Sequence, residues 1–266
     1  MKKFRYIIAG AFVIGALVSC EKEEVTTNEN EQDQLEQPAT KNAESVGNGG
    51  SLSQFTIVDD YLYTIDYKTL NIFNLTDPSN PSLEESIDMG VGMETVFHRN
   101  GRLFIGSNDG VHIYDISNPR NPQELSQFEH VTSCDPVIAN DHIACATLRG
   151  GTECGGFLSQ LDIIDITDIQ NPQLIAEYEL GNPYGLGFSN ANQNILYICD
   201  GNEGLKAFDV SDPNMPELIM TNAFITPKDI IVEEDNNIIV LTTAGVYQFD
   251  GSNPTSFVEK SLISVE

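Results

Sequence analysis

The sequence predicts an all-β protein, a β-propeller with five blades of four antiparallel strands each. Three observations support this fold: a segment recurs five times after residue 50, each copy alternates with period two, and each copy ends in a turn sequence. Period-two alternation is typical of strands, because successive side chains point to opposite faces. Units of roughly 40–45 residues with four strands are typical of propeller blades.

The recurring segment aligns without gaps, at intervals of 41, 50, 44 and 41 residues. Its copies are LNIFNLTDPSNP from Leu70, VHIYDISNPRNP from Val111, LDIIDITDIQNP from Leu161, LKAFDVSDPNMP from Leu205 and VYQFDGSNPTSF from Val246. Because Pro fixes φ and a short polar side chain folds back on the backbone, each copy predicts a strand that ends in a tight turn. The fifth copy has Gly251 in place of an aliphatic residue and Phe257 in place of the last Pro, so we expect a looser last blade.

Three further strands are predicted around each copy. One precedes it, as YLYTID at Tyr61, RLFIGS at Arg102, HIACAT at His142, ILYICD at Ile195 and IIVLTT at Ile238. Another lies before that one, as in TVFHRN, and a fourth follows the turn, as in PQLIAEYEL. A β-helix would have shorter repeats, and a helical solenoid would show a 3.6-residue period that is absent. Five blades therefore fill residues 51–266.

The segments IFNLTDPSNP, IYDISNPRNP and IIDITDIQNP resemble the LVIVD-repeat family of extracellular bacterial proteins. The resemblance extends over all five copies. It implies a propeller-like fold. It supplies no catalytic residues, because no defined activity characterises the family.

Residues 1–19 are predicted to be a lipoprotein signal peptide that is cleaved. Basic residues at positions 2, 3 and 5 precede an apolar segment, Tyr6 to Val18, that is shorter than the roughly 20 residues a membrane span needs. The end of this segment, LVSC, resembles the bacterial lipobox, in which the chain is cut before the cysteine and the thiol carries the lipid. We therefore expect a lipid such as palmitate on Cys20. The alternative, an ordinary signal peptide, has no equally good cleavage site.

The residues after Cys20 predict where the anchored protein lies. Lys22, Glu23 and Glu24 resemble the export signal of Bacteroidetes surface lipoproteins. The alternative is an acidic linker without a signal. Residues 20–50 contain no aromatic residue and few aliphatic ones, so they predict a disordered acidic tether. We expect an outer-membrane protein that faces the cell exterior.

The charge of the chain excludes some partners. The full sequence has a formal net charge of −27, and without the signal peptide ten basic residues remain against 40 acidic ones. Such a surface repels nucleic acid and anionic lipid, so the lipid anchor is the expected membrane contact. No EF-hand spacing occurs, and the four histidines are scattered. No cofactor or metal site is predicted, with Ca²⁺ as the alternative.

Candidate site residues come from aligning the first strands of the blades. The starts of these strands and the loops between second and third strands share one face, here called the top face. The Pro-containing turns lie on the opposite, bottom face. Six residues are expected to ring the top mouth of the central channel and to bind a ligand: Gln54, Glu94, Asp135, Tyr184, Lys228 and Asp229.

Two other interpretations of this ring remain open. Glu94, Asp135 and Asp229 are also suited to a glycosidase, in which one carboxyl group acts as acid and another as base or nucleophile. The same oxygens suit Ca²⁺, which takes six to eight ligands. Against both, Lys228 interrupts the ring, and acidic residues are common throughout the chain.

The third blade is irregular, because the loop LRGGTECGGFLSQ from Leu148 lengthens it. The loop is expected at the top rim, either as a mobile recognition loop or as a hairpin without a role. Its Cys154 and the nearby Cys134 are a possible disulfide pair that would fix the loop beside Asp135. Cys145 and Cys199 fall on predicted strands and are expected to be buried thiols.

The sequence thus favours a surface-anchored binding module for an extracellular glycan or protein. One alternative is a glycoside hydrolase or lyase that uses the carboxylates of the channel mouth. Another is a structural subunit of an outer-membrane complex, with the repeated turns as its docking surface. The fold alone does not choose among these.

Overall fold

The computed structural model describes residues 50–129, 136–151 and 159–265. They form five separate sheets, and each sheet is an antiparallel meander of four consecutive strands. The predicted five-bladed propeller is therefore confirmed. The strands of blade 1 are β1 (Phe55–Val58), β2 (Tyr61–Ile65), β3 (Thr69–Asn74) and β4 (Ser82–Asp88); those of blade 2 are β5 (Met93–Arg99), β6 (Arg102–Ser107), β7 (Gly110–Asp115) and β8 (Gln123–Glu129). Those of blade 3 are β9 (Val137–Ala139), β10 (Ile143–Leu148), β11 (Gln160–Asp165) and β12 (Gln173–Glu179).

Blades 4 and 5 repeat this plan. Blade 4 has one turn of 3₁₀ helix, Gly201–Glu203, between its second and third strands. The strands of blade 4 are β13 (Leu186–Phe188), β14 (Ile195–Cys199), β15 (Leu205–Asp209) and β16 (Glu217–Asn222), and those of blade 5 are β17 (Pro227–Val232), β18 (Asn237–Thr242), β19 (Gly245–Asp250) and β20 (Val258–Ser264). No helix in the described residues is long and apolar enough to cross a membrane.

The predicted turns form at the end of the third strand in every blade. In blade 2, the Asp115 carboxylate accepts a hydrogen bond from the backbone N–H of Ser117 at 2.9 Å. The equivalent bond is made to Asn74, Asp165, Asp209 and Asp250 in the other blades. A register shift also interrupts the pairing of third and fourth strands at the same repeat position in all five blades. The repeat therefore specifies a bulge as well as a turn.

Four clusters of buried apolar side chains hold neighbouring blades together. One joins blades 1 and 2, and the others join blades 2 and 3, 3 and 4, and 4 and 5. Because blades 2, 3 and 4 are packed on both faces, a strand such as β10 is buried along its whole length. Cys145 on that strand and Cys199 on β14 are buried free thiols, as expected, and burial raises the pKa of both.

The surfaces that blades 5 and 1 turn toward each other lack such packing. In the described chain, none of the four clusters joins these two blades. Phe55 and Leu83 of blade 1 are each 57% exposed, and Leu241 and Ile263 of blade 5 are 49% and 69% exposed. We call the surface formed by these four residues the seam. The fifth blade keeps its four strands and its turn, but β20 is exposed along its whole length.

Candidate functional site

Five of the six predicted ligand-binding residues lie at the top ends of the first strands. Gln54 directly precedes β1, Glu94 is in β5, and Tyr184 precedes β13. Lys228 and Asp229 are both in β17. Asp135 lies outside the described residues.

The segment Gly50–Ser53 crosses the top end of the channel and contacts three blades. Ser51 is 1% exposed, and its Oγ accepts a hydrogen bond from the backbone N–H of Leu186 in blade 4 at 2.8 Å. The carbonyl of Ser53 accepts a hydrogen bond from Val96 of blade 2, also at 2.8 Å. These contacts place the backbone of Gly50–Ser53 across the top mouth of the channel, where the sequence predicts the ring of ligand-binding residues. The sequence of this segment carries no periodicity that would have indicated it.

The side chain of Asp229 lies against the segment Gly50–Ser53. A Cβ added at Gly50 would lie 2.7 Å from Asp229 Oδ2, and one added at Gly185 would lie 2.2 Å from Oδ1. Glycine is therefore needed at both positions for the carboxylate to fit. Burial raises the pKa of Asp229, against the hydrogen bond from the backbone N–H of Ile230, which lowers it.

Tyr184, Lys228 and Arg149 form a cluster at the top rim, which we call the rim cluster. Lys228 Nζ lies 3.7 Å from the centroid of the Tyr184 ring, and Arg149 Cζ lies 4.3 Å from it. Both distances are in the range of cation–π contacts. Hydrogen bonding with Lys228 is the largest of several effects that lower the pKa of Tyr184. The structure thus brings together Tyr184 and Lys228, two of the six residues of the predicted ring, and adds Arg149, which the sequence did not indicate.

The backbone of Tyr184 is fixed from both sides. Its N–H donates to the carbonyl of Cys199 at 2.8 Å, and its carbonyl accepts a hydrogen bond from Thr147 Oγ1 at 2.8 Å. Thr147 is in β10 of blade 3, directly before the long loop that begins at Leu148. The rim cluster is therefore built from three consecutive blades and borders that loop.

A buried ion pair on the top face of blade 4 was missed by the sequence. Lys206 Nζ lies 2.5 Å from Asp200 Oδ2 and 2.6 Å from Glu203 Oε2. Asp200 is fully buried and also accepts hydrogen bonds from the backbone N–H groups of Gly181 and Asn182. The sequence contains one signal of this buried polar position, because the second residue of each repeat copy lies on a strand and yet is hydrophilic or tyrosine. These residues are Asn71, His112, Asp162, Lys206 and Tyr247.

The described residues contain no group of three or more His, Cys, Asp or Glu side chains that could hold a metal ion. Several predictions lie outside these residues: the lipidation of Cys20, the signal at Lys22, Glu23 and Glu24, and the Cys134–Cys154 pair. Residues 152–158 of the blade 3 loop also lie outside them.

The sequence matches the LVIVD repeat over residues 49–89, 102–129 and 191–222. These three segments are similar to the LVIVD repeat. The three matches cover blade 1 and all but the first strands of blades 2 and 4, so the resemblance is confirmed for three blades. No curated protein matches the sequence.

Solved structures show the same fold at low sequence identity. A functionally unknown protein from Desulfotomaculum acetoxidans aligns with a TM-score of 0.62 and 14% identity, over 79% of this chain and 68% of its own. A protein from Lactobacillus plantarum aligns with a TM-score of 0.61 and 15% identity, over 79% and 72%. A gluconolactonase from Xanthomonas campestris aligns with a TM-score of 0.53 and 14% identity, over 77% and 72%. At these identities the likeness concerns the fold alone.

Proposed function

We propose that this protein is a lipid-anchored binding module outside the outer membrane and that its rim cluster binds an acidic glycan. The observation that carries the proposal is the convergence of two cations, Lys228 and Arg149, on the ring of Tyr184. The protein has 13 basic residues against 40 acidic ones, so two adjacent cations at the channel rim are a local exception to its charge.

The chemistry of the cluster selects an anionic ligand. Arginine matches the geometry of carboxylate and sulfate groups with a planar fork, and lysine adds a point charge. An acidic surface repels anions unless positive charges are concentrated at the contact. A carboxylated or sulfated sugar meets these requirements.

The anchor is supported by the lipobox at Cys20 and by Lys22, Glu23 and Glu24. Replacing Cys20 by Ala should abolish metabolic labelling with palmitate. Replacing the other three residues by Ala should reduce exposure to external protease while labelling persists. Labelling of the C20A variant would contradict the lipidation site, and unchanged exposure of the triple variant would contradict the export signal.

The ligand site can be tested on an array of neutral, carboxylated and sulfated glycans. We expect the purified protein to bind acidic members selectively, with affinity that falls as salt rises. Lys228→Ala should weaken this binding at least about tenfold, the loss of one charge-assisted contact. The matched control is Lys260→Ala, which removes an exposed lysine from β20 in blade 5. Equal binding by both variants would contradict the site, and selective binding of neutral glycans would contradict the ligand class.

The alternatives depend on other residues. A hydrolase or lyase would use Glu94 and Asp229 together with Asp135, which is outside the described residues. A glycan that the array captures and that remains uncleaved after prolonged incubation would contradict this reading. A structural subunit would be retained by an outer-membrane complex through its bottom turns, and Lys228→Ala would leave that retention unchanged.

A further inference from the structure

The axial channel of the propeller contains a cavity of about 440 Å³, and all five blades line it through their first strands. This volume is within the range of small-molecule sites, roughly 300–1,000 Å³. The cavity is separate from the rim cluster, because neither Tyr184 nor Lys228 nor Arg149 lines it.

The mouth of the cavity lies on the bottom face. At the top end of the cavity, Ser51 is 1% exposed and belongs to the segment that crosses the channel. At the bottom end, the lining residues Asp59, Asn100 and Asn190 are exposed. A ligand would therefore enter between the short turns that join first and second strands, opposite the face where the sequence placed the site.

Three amide side chains line this bottom mouth, those of Asn100, Asn190 and Gln193. Their side-chain nitrogens donate hydrogen bonds within the protein, at 2.6, 2.7 and 2.9 Å. Their side-chain oxygens accept none from the described residues. Because the nitrogen end of each amide is held by the protein, the oxygen end remains for a ligand that donates hydrogen bonds.

A carboxylate adds to these acceptors. Asp59 also lines the mouth, and within the described residues it makes no hydrogen bond or ion pair. Arg99 lines the cavity as well, but its Nε and Nη2 already donate to Asp141 Oδ1, at 3.1 and 3.0 Å. His98 Nε2 accepts a hydrogen bond from the backbone N–H of Gly101, an arrangement of the neutral ring. The negative charge of Asp59 is therefore the one that the mouth leaves unbalanced among its described residues.

The free acceptors lie on two sides of the mouth. Asp59 and Asn100 follow the first strands of blades 1 and 2, whereas Asn190 and Gln193 follow the first strand of blade 4. Blade 4 borders neither blade 1 nor blade 2 in the order of the ring. A ligand that meets both sides therefore needs hydrogen-bond donors at both of its ends.

The charge of the protein selects a cation for this position. The chain has a formal net charge of −27, and a cleft lined by one sign of charge concentrates ions of the opposite sign. A primary ammonium group has three donors and no acceptor, which complements a carboxylate and amide oxygens. A bare metal ion is less suited, because the described residues contain no group of three His, Cys, Asp or Glu side chains that could hold one.

We propose that the bottom mouth of the axial cavity binds one small aliphatic diamine or polyamine. One ammonium group contacts Asp59 and the oxygen of Asn100, and the other contacts the oxygens of Asn190 and Gln193. The chain between them crosses the cavity beside Ile231, a half-buried lining residue. This site differs from the rim cluster in face, residues and ligand charge, so either proposal can fail alone.

Three probes with the same four-carbon chain separate the charge of the end groups from the body. They are putrescine with two ammonium groups, 1,4-butanediol with two hydroxyl groups and adipate with two carboxylates. By isothermal titration calorimetry of the purified protein, we expect saturable binding of one putrescine per chain, with affinity that falls as salt rises. Butanediol should bind at least about tenfold more weakly, since charge-assisted hydrogen bonds are the stronger ones. Adipate should not compete with putrescine.

Two pairs of variants locate the site. Asp59→Gly removes the carboxylate and suits the backbone, whose φ there is 51°, and it should weaken putrescine binding about tenfold. Its matched control, Asp60→Gly, removes the neighbouring exposed carboxylate, which does not line the cavity. Ile231→Trp fills the cavity and should weaken binding more than tenfold, whereas Leu174→Trp adds the same bulk on the exposed outer strand β12 and should change nothing.

Circular dichroism verifies the fold of every variant. The proposal would be overturned by the absence of saturable putrescine binding, or by butanediol binding as tightly as putrescine. Equal losses in Asp59→Gly and Asp60→Gly would mean that putrescine follows the diffuse charge of the surface, which also contradicts the site. Unchanged binding by folded Ile231→Trp would place the ligand outside the cavity.

Discussion

Blades 2, 3 and 4 are packed on both faces, whereas blades 1 and 5 are packed on one face and border the seam. Equivalent positions show the difference. Val96, on the first strand of blade 2, is 2% exposed, and Phe55, at the same place in blade 1, is 57% exposed. Both blades have the same strands, turn and bulge. The repeat therefore specifies the blade itself, while burial of its faces depends on the neighbouring blade.

The first test of this comparison concerns two lysines, one in the packed part of the ring and one in blade 5. Lys206→Met leaves Asp200 buried without its partner, and we expect a loss of about 4 kcal/mol in the free energy of unfolding. Lys260→Met, in an exposed strand beside the seam, should cost less than about 0.5 kcal/mol. Urea denaturation followed by circular dichroism measures both.

The buried charge can be separated from simple loss of packing. Adding Asp200→Asn to Lys206→Met removes the uncompensated carboxylate while keeping an oxygen for the Gly181 and Asn182 N–H groups. The double variant should recover part of the lost stability. If it is less stable than Lys206→Met alone, the charge on Asp200 is not the cause of the loss.

The second test uses one leucine of the repeat in two environments. Leu103 is fully buried between blades 1 and 2, and Leu62, at the same position of blade 1, is half-buried and faces the seam. Leu103→Ala should cost about 3 kcal/mol, because it leaves a cavity in a packed interface. Leu62→Ala should cost about 1 kcal/mol or less. Equal losses would show that the seam is packed in solution.

The features that could be predicted from the sequence are local ones. Strand positions follow from alternation, and the turns follow from the recurring Ser/Thr-Asp/Asn-Pro pattern, because each depends on residues a few positions apart. Aligning the first strands assigned Tyr184 and Lys228 to one equivalent position of adjacent blades, but it did not predict their contact. These predictions needed only the repeat.

The remaining features depend on how far each blade is rotated from the next. That rotation decides whether blade 5 packs on blade 1, and side-chain periodicity does not encode it. The burial of Asp200 with Lys206 likewise arises from the fold around them. Gly50 was assigned to the tether, yet it lies against Asp229, because a segment without periodicity is placed only by its tertiary contacts.

The third test concerns a feature that should be equal on both sides of the comparison, the turn at the end of the third strand. Asp209 in blade 4 accepts the N–H of Ser211 at 2.8 Å, and Asp250 in blade 5 accepts that of Ser252 at 2.9 Å. Asp209→Ala should cost about 0.5 kcal/mol, a small loss because solvent weakens exposed interactions. Asp250→Ala should shift the denaturation midpoint as far as Asp209→Ala does, since neither bond involves the neighbouring blade.

The pH dependence of these two variants shows whether the carboxylate bond is the cause. Hydrogen bonds, first from the serine side chain and then from the backbone N–H, lower the pKa of both Asp209 and Asp250. A lowered folded-state pKa stabilises the protein above the unfolded value of about 3.9, and this contribution is lost as the pH falls through the folded pKa. Wild type and variants should therefore differ at pH 7 and converge in acid. A difference that persists below both pKa values would mean that the aspartates act through packing, and a difference confined to Asp209→Ala would mean that the turn of blade 5 depends on the seam.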